Sequence, residues 1–570
     1  MTSLLDHLNE PQRAAVTLPA EHALILAGAG SGKTRVLTTR IAWLLSNGLA
    51  RPHNILAVTF TNKAAKEMQT RLAAMLPINV KNLWIGTFHG LCNRLLRAHH
   101  QEAGLPQSFQ ILDAADQLSA VKRLLKTLNV DDEKFPPREL CHYINAQKEQ
   151  GLRAAAVEAW DNWARQRQEI YAAYEAQCER EGVVDFAELL LRCHELLLRN
   201  APLLRHYRER FTHILVDEFQ DTNKLQYQWL KLLAGEHAAL FCVGDDDQSI
   251  YAFRGADVGN MRDFEREFQV KHLIRLEQNY RSHGNILDAA NAIIRNNPRR
   301  LGKNLWTQAG NGEPIRVYEA YSDSDEARWI VEEIRALQRD GHARAEIALL
   351  YRSNAQSRAL EHALFNAGLP YRVYGGLRFF DRAEVKHALA YLRLIANPND
   401  DTAFLRVVNF PVRGIGARSL ESLQDAARNG GSLFAAIPHV GGKGGQSLAA
   451  FAQLITGMTD AAHLPLPELI DHVLDLSGLR AHYRNEKEGE ERLANLDELV
   501  NAASSFVAEE GAPTAAGDGE LAADLTAFLA HASLEAGEHQ AGEGDDALQL
   551  MTVHSAKGLE FNVVFISGLE

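Results

Sequence analysis

Lys33 and Thr34 close the octapeptide Ala27-Gly28-Ala29-Gly30-Ser31-Gly32-Lys33-Thr34, whose residue types and spacing suit the holding of a polyphosphate. Glycines let consecutive backbone N–H groups turn toward one anion, and the start of a following helix adds the positive end of its dipole. Lys33 can reach β- and γ-phosphates, and the Thr34 hydroxyl can ligate Mg²⁺. The apolar run Ala23-Leu24-Ile25-Leu26 precedes the loop, and Leu37, Ile41, Leu44 and Leu45 follow on one helical face. Strand, loop and helix in that order are the context in which such a loop cradles phosphate. Ala27 stands where the usual pattern has its first glycine.

Two further apolar runs end in chemistry. His213-Ile214-Leu215-Val216 leads into Asp217-Glu218-Phe219-Gln220-Asp221. Asp217 can hold Mg²⁺ directly or through water, and Glu218 can orient and deprotonate an attacking water. Leu240-Phe241-Cys242-Val243 leads into Gly244-Asp245-Asp246-Asp247-Gln248-Ser249, where the Gln248 amide can bond both a γ-phosphate oxygen and that water. Gln12 follows Asn9, which can cap a helix with Pro11 in its first turn. Its amide suits an adenine edge and equally suits an ordinary surface helix.

Other residues suit nucleic acid. Ile55-Leu56-Ala57-Val58-Thr59-Phe60 opens onto Thr61-Asn62-Lys63, and Leu83-Trp84-Ile85-Gly86-Thr87 onto Phe88-His89-Gly90. Such strand ends line the ligand edge of an open α/β sheet. Phe60, Phe88 and His89 either stack bases or are core aromatics. Tyr251-Ala252-Phe253-Arg254 interleaves rings with a cation, which suits a single strand. Asp185, ahead of Phe186 and an apolar helix, reads first as an N-cap. Arg413-Gly414-Ile415-Gly416 either offers backbone N–H groups to a duplex phosphate or is a plain helix-to-helix turn.

Taken in order, Gln12 and the stretches 27–34, 59–63, 86–89, 217–221, 244–254, 276–282 and 552–561 resemble the motifs of superfamily 1 DNA helicases, most closely the UvrD/PcrA/Rep family. The resemblance covers essentially the whole chain. It implies an ATP- and Mg²⁺-dependent 3′→5′ DNA helicase or translocase, working on single strands and single-strand/duplex junctions in nucleotide-excision and mismatch repair. It implies repair-protein partners, a cytoplasmic monomer or dimer, and no membrane. ATP contacts carry over to Gln12, Ala27, Gly28, Ala29, Gly30, Ser31, Gly32, Lys33, Thr34 and Arg35, with Tyr280 stacking on adenine, Arg281 as an arginine finger and Glu560 at the ribose. The implied catalytic set is Lys33, Glu218, Gln248 and Arg281, with Thr34 and Asp217 at the metal. DNA contacts carry over to Phe60, Asn62, His89, Phe186, Tyr251, Phe253, Arg254, Tyr351, Asn354, Gly414, Gly416 and His554. Ala252-Phe253 stands where the family commonly has Gly-Trp; the smaller ring still stacks.

The elements needed to position these residues define the expected fold. It is α/β: two tandem RecA-like P-loop motor domains, each with a mainly helical insertion. The expected boundaries are 1–88 with 211–277 for the first motor, 89–210 for its insertion, 278–374 with 545–570 for the second motor, and 375–544 for the second insertion. A chain of 570 residues suits three to four domains at about 150 residues each. Asp113 starts a helix carrying Leu118, Val121, Leu125 and Leu128, and Arg94, Arg97, Lys122, Arg123, Lys126 and Lys148 read as solvated helix faces. In the second motor Ile315-Arg316-Val317-Tyr318, the helix after Asp325, and Ile347–Tyr351 read as strand, helix, strand. The stretch 509–520 reads as a flexible loop.

Net charge of −13, from 60 basic and 73 acidic residues, opposes a uniformly basic nucleic-acid binder but not a local basic groove. Five scattered cysteines without a C-x-x-C pair suit a reduced protein with no zinc site. Neither a signal peptide nor an apolar run of about 18 residues is present. The chain stops directly after the fifth motif, which sets the expectation of a C-terminally truncated helicase with impaired unwinding. Two rival readings are a translocase subunit of a recombination nuclease and a non-catalytic, ATP-dependent DNA clamp.

Overall fold

The computed structural model describes the chain except residues 1–3, 78, 81–82, 253–254, 299, 354–355, 375–379, 381, 428–430, 485, 487–488, 511–519, 537–545 and 570. Its strands are β1 (Ala23–Ala27), β2 (Ile55–Thr59), β3 (Trp84–Thr87), β4 (Gln110–Leu112), β5 (Val183–Asp185), β6 (His213–Val216), β7 (Ala239–Gly244), β8 (His272–Leu276), β9 (Ile347–Tyr351), β10 (Tyr371–Val373), β11 (Leu548–Thr552) and β12 (Val563–Ile566). The chain divides into two compact units, one of Met1–Phe88, Ala201–Gly376 and Glu538–Glu570, the other of His89–Asn200 and Leu377–Gly537.

The first unit is built on two parallel sheets. Every side chain of β1, β2, β6 and β7 is buried, the pattern of strands covered on both faces, which is why they read as unbroken apolar runs. They pair in the order β3-β2-β6-β7-β1-β8. β1 runs parallel to β7 on one side and to β8 on the other, with Ala23 opposite both Phe241 and His272. The carboxyl ends of β6, β7, β1 and β8 therefore lie in one row, about 4.8 Å apart. The helix Lys33–Ser46 leaves β1 and buries Leu37, Ile41 and Leu44. The helix Glu10–Val16 starts as expected: Asn9 accepts the Gln12 N–H, and Gln12 returns a bond to the Asn9 N–H.

The second sheet runs β10-β11-β9-β12, again parallel, over a core that includes Leu349, Tyr351 and Leu550. Ile315–Tyr318 is not one of its strands. No described strand pairs with it, Val317 is 90% exposed, and Tyr318 instead stacks on Trp329 at 4.5 Å. The apolar alternation that suggested a strand is here an exposed segment.

The second unit is mainly helical and gathers His89–Asn200 and Leu377–Gly537. Asp113 caps the helix Ala114–Thr127 by accepting the Asp116 N–H, and Asp185 caps Phe186–Arg199 by accepting the Glu188 N–H. A short parallel pair, β4 with β5, crosses the helices and was not legible as strand. Several charges expected on solvated faces are interior. Lys148 is buried against Asp185 at 2.7 Å and Glu188 at 3.0 Å, Arg97 lies 3.6 Å over the Phe109 ring, and Arg123 meets Glu181 at 2.8 Å. Its two stretches are cross-linked by charge: Asp116 accepts from Arg393 and Arg406, and Arg393 also meets Asp400 at 2.7 Å. All five cysteines are buried, and none forms a disulfide. Among the described residues no helix is long and apolar enough to cross a membrane.

His387 offers a test of this packing. It stacks on Phe410 at 3.8 Å, and its Nδ1 lies 2.7 Å from the Tyr483 hydroxyl. Burial, helped by Arg406, His482 and Arg492, pulls the imidazole down to about 4. The unfolded chain therefore takes up this proton first, and the neutral ring's contribution, complete above about pH 6.5, is lost as pH falls toward 4. The melting-temperature advantage of the parent over His387→Phe is expected to shrink between about pH 7.5 and about pH 4.5. A difference that does not change with pH would contradict the burial of a neutral ring.

Candidate functional site

The loop after β1 lies between the ends of its neighbours. Gly30 and Gly32 hold φ of +65° and +87°, conformations that L side chains rarely adopt, and the helix Lys33–Ser46 begins directly after them. Crowding adds a second constraint. A Cβ at Gly30 would sit 2.7 Å from both the Arg281 Cβ and the Asn279 amide nitrogen, and one at Gly32 would sit 2.9 Å from Gln12 Nε2. The Ser31 hydroxyl donates to the Gly28 carbonyl, and Gln12 Nε2 donates to the Ser31 carbonyl at 2.8 Å. Thr34 is half-buried at the start of the helix and Arg35 beside it is exposed.

Lys33 is the centre of charge. Its ammonium lies 3.3 Å from Glu218 and donates to Gln248 Oε1 at 3.3 Å. Burial alone would lower Lys33; Glu218, Asp245 and Asp217 outweigh it and raise it. Glu218 sits at φ +47°, a left-handed conformation for a residue with a side chain, at the exit of β6. Burial pulls its carboxyl upward, but Lys33 and Lys557 win and keep it ionised. Asp217 behaves oppositely. Burial, with the Glu218 charge beside it, pushes the Asp217 carboxyl up to about 7. A buried acid with so little cationic support is a hard oxygen donor available to a cation.

The segment after β8 closes on the loop. Asn279 donates to the Ala29 carbonyl at 2.7 Å, and its Oδ1 accepts the N–H groups of Arg281 and Ser282. The Tyr280 N–H donates to the Gly30 carbonyl at 2.9 Å, and the Tyr280 hydroxyl accepts from Asn9 at 2.8 Å. The Tyr280 ring stays 53% exposed. Arg281 Nε donates to Glu560 at 2.7 Å, so these two expected nucleotide contacts lie side by side. Lys557 reaches from the same stretch to Asp221 at 2.5 Å and to the Gln248 carbonyl at 2.9 Å.

The expected DNA contacts are divided between the units. Phe60, Asn62, Tyr251 and His554 belong to the first. Phe60 meets Phe88 edge-on at 5.5 Å, Asn62 opens the helix Asn62–Met75 behind its Thr61 cap, and the Tyr251 hydroxyl donates to the His554 carbonyl. His89 and Phe186 belong to the second and meet edge-on at 5.7 Å. Gly414 and Gly416 are exposed there, with Gly414 at φ +74°, but Asn409 already accepts the N–H groups of Arg413 and Ile415 in that turn. Tyr351 is 0% exposed inside β9, paired beside Thr552 of β11, so its ring lies in the interior where the resemblance implies a DNA contact. Phe253, Arg254 and Asn354 lie outside the described residues.

Three residues escaped sequence reasoning. Gln220 donates to Glu218 at 2.5 Å and accepts the Asp245 N–H, joining the β6 and β7 ends. Asn279 joins the loop to Arg281, and Lys557 joins the β11 side to Gln248. Each lay inside a quoted motif, but its partners are distant in sequence.

Comparison with known proteins agrees with this arrangement. Residues 8–269 match the UvrD/REP helicase N-terminal domain, and residues 274–439 and 446–570 match the UvrD-like helicase C-terminal domain. The whole chain aligns with 79% of the length of DNA helicase II from Escherichia coli (strain K12) at 53% identity. It aligns with 79% of DNA helicase II from Haemophilus influenzae at 49% and with 78% of ATP-dependent DNA helicase PcrA from Staphylococcus aureus (strain Mu50) at 41%.

Gly30→Ala separates strain from crowding at the loop. Gly48 has the same kind of φ, +67°, but nothing within 4 Å of its added Cβ. Gly48→Ala is expected to lose about 1 kcal/mol of stability from strain alone. Gly30→Ala is expected to lose more, and also to weaken binding of a fluorescent ATP analogue. Equal effects of the two substitutions on melting and nucleotide binding would show that the Asn279–Arg281 segment does not press on the loop.

Proposed function

The chain belongs to the UvrD/REP helicase family, and from that premise we propose that its first unit binds and hydrolyses MgATP in the cleft around Lys33 to drive DNA strand separation. The observation that carries this reading is the convergence on Lys33 of Glu218 and Gln248 from two adjacent strand ends, with Arg281 fastened to the loop through Asn279. The division into two motor domains with inserted helical domains, at the boundaries read from the sequence, is part of the proposal.

The residues have separate tasks. Loop N–H groups and the Lys33 ammonium hold the β- and γ-phosphates, Gln12 and Tyr280 flank the adenine, and Glu560 meets the ribose. Ala27 to Arg35 supply the rest of the cradle. Thr34 and Asp217 are an oxygen donor set that fits Mg²⁺, and the left-handed Gly30 and Gly32 let the loop N–H groups turn toward a phosphate. Bound there, the metal neutralises phosphate charge. Glu218, held ionised by Lys33 and Lys557, accepts the proton of the attacking water while Gln248 orients it. Arg281 stabilises charge developing on the γ-phosphate; such fingers are worth about 10³ to 10⁵ in rate.

Phe60, Asn62, Tyr251, Phe253, Arg254, Asn354 and His554 from the first unit, and His89 and Phe186 from the second, supply rings and polar groups for single-stranded DNA. Gly414 and Gly416 present their exposed turn to a duplex phosphate. Movement along the strand in the 3′→5′ direction, action at single-strand/duplex junctions, and a role in excision and mismatch repair with repair proteins are part of the same reading, carried over from the motif resemblance. Work as a monomer or dimer in the cytoplasm belongs to the same reading.

Glu218→Gln keeps the shape and removes the base. Its ATP turnover is expected to fall by about 10² or more while a fluorescent nucleotide still binds. Lys33→Ala is expected to lose nucleotide binding itself and to retain most single-strand affinity. Turnover of either variant at the parental rate would refute the site. Single-strand affinity is expected to weaken steeply with salt, as counterions are released by about 0.7 per phosphate contact in the log–log slope. A flat salt dependence in fluorescence anisotropy would argue against a phosphate-tracking surface.

A further inference from the structure

We propose that Lys303 is a positioning residue for ATP hydrolysis, holding Gln248 in place through Asp245. This rests on the reading of Gln248 given above.

The turn after β7 carries three consecutive acids, Asp245, Asp246 and Asp247, each offering an oxygen within 4.8 Å of the others. Gathering three carboxylates at a buried turn is costly unless a cation sits among them. Lys303 supplies it. Its ammonium lies 2.6 Å from Asp245, 2.6 Å from Asp246 and 2.8 Å from Asp247, so each of its hydrogens meets a carboxylate. The side chain is 2% exposed. Arg300 adds a two-pronged contact to Asp247 at 2.8 Å on each prong, and the Leu301 N–H donates to Asp246 at 2.6 Å. The stretch 300–303 thus wraps the acidic turn from outside.

A simple charge-balancing role would end there, but the contacts continue into the site. Asp245 gives one oxygen to Lys303, and its other oxygen accepts from Gln248 Nε2. Gln248 Oε1 in turn accepts from Lys33. Lys303, Asp245, Gln248 and Lys33 form one relay, in which fixing the first oxygen of Asp245 aims the second at Gln248. Without Lys303 the first oxygen keeps the Asp247 N–H alone, and Asp245 can turn its charge toward Lys33, which it already helps to hold protonated. The segment that carries Lys303 also reaches the other two parts of the site. The Leu305 side chain packs on Gly28, and the Trp306 carbonyl accepts the Asn279 N–H at 2.7 Å. Nothing in the helicase motifs singled out 300–306, yet it touches the phosphate loop, the turn bearing Gln248 and the segment bearing Arg281.

The test uses the full chain with single-stranded DNA and MgATP. Lys303→Met is expected to lower kcat by about tenfold with KM for ATP changed less than about twofold, because the relay acts on the reacting end and not on overall binding. Lys303→Arg, which keeps a cation among the acids, is expected to recover most of the rate. Hydrogen exchange of the amides at 245–249 is expected to quicken in Lys303→Met. If the uncompensated acids unfold that variant, Lys303→Met with Asp246→Asn removes one charge of each sign and is expected to fold and keep the kcat loss. The deciding measurement is a double-variant cycle with Gln248→Ala. Losses from Lys303→Met and Gln248→Ala are expected to be far from additive, since both break the same relay. Additive losses, or a parental kcat in the folded Lys303 variants beside an impaired Gln248→Ala, would overturn this inference alone. A parental kcat in Gln248→Ala would overturn it together with the role given to Gln248.

Discussion

The pairing of β1 with β7 on one side and β8 on the other is the constraint on which the rest of the site depends. Parallel strands must all deliver their carboxyl ends to one edge. With β6 beside β7, four consecutive ends bring the Asp217-Glu218 pair, the Asp245–Gln248 turn, the phosphate loop and the Asn279–Arg281 segment together. No side chain has to search for the others. A slip of one residue in the β1 register would invert every side chain of the strand and displace the loop.

That convergence creates an electrostatic problem that the protein solves by pairing. Glu218, Asp217, Asp221 and the three acids after β7 crowd one edge of a sheet. Lys33, Lys557 and Lys303 are interleaved among them, and the result is graded. Glu218, facing two ammonium groups, stays below its ordinary range, while Asp217 and Asp221 are pushed up to about 7 and about 6, burial being the chief cause in both. The proposed hydrolysis uses this difference between neighbours: a carboxylate that stays charged as base, and one whose charge waits for a cation.

How much was legible follows from the range of each interaction. The strands β1, β2, β6 and β7 could be read because strands covered on both faces are apolar throughout, and the Asn9, Asp113 and Asp185 caps because a cap reaches only three residues ahead. The phosphate loop is a local signal of the same kind. Lys148 and Arg97 were misread because their partners, Asp185 at the end of β5 and Phe109 just before β4, lie outside their own helices, and the sequence around them looks like any charged face. Tyr351 is given a DNA contact by the resemblance, and its burial in β9 depends on pairing with β11, a strand far along the chain. Asn279 and Lys303 could not be assigned because their partners lie tens to hundreds of residues away.

Arg281 shows how rigidity and freedom are divided within one residue. Its backbone is fixed by directional bonds: its own N–H to Asn279, and its neighbour's to the Gly30 carbonyl. Each such bond contributes about 0.5–1.5 kcal/mol, and the Gly30 loop crowds the Arg281 Cβ besides. Its guanidinium is held differently. The partner Glu560 is 68% exposed and Arg281 itself 37%, and ion pairs so open to water are worth about 1 kcal/mol or less. The head can therefore exchange Glu560 for a phosphate at little cost, whereas the Cα cannot move without disturbing the loop that would hold that phosphate. A residue proposed as an arginine finger needs this asymmetry, because stabilising a transition state requires the charge to arrive at a place fixed in advance.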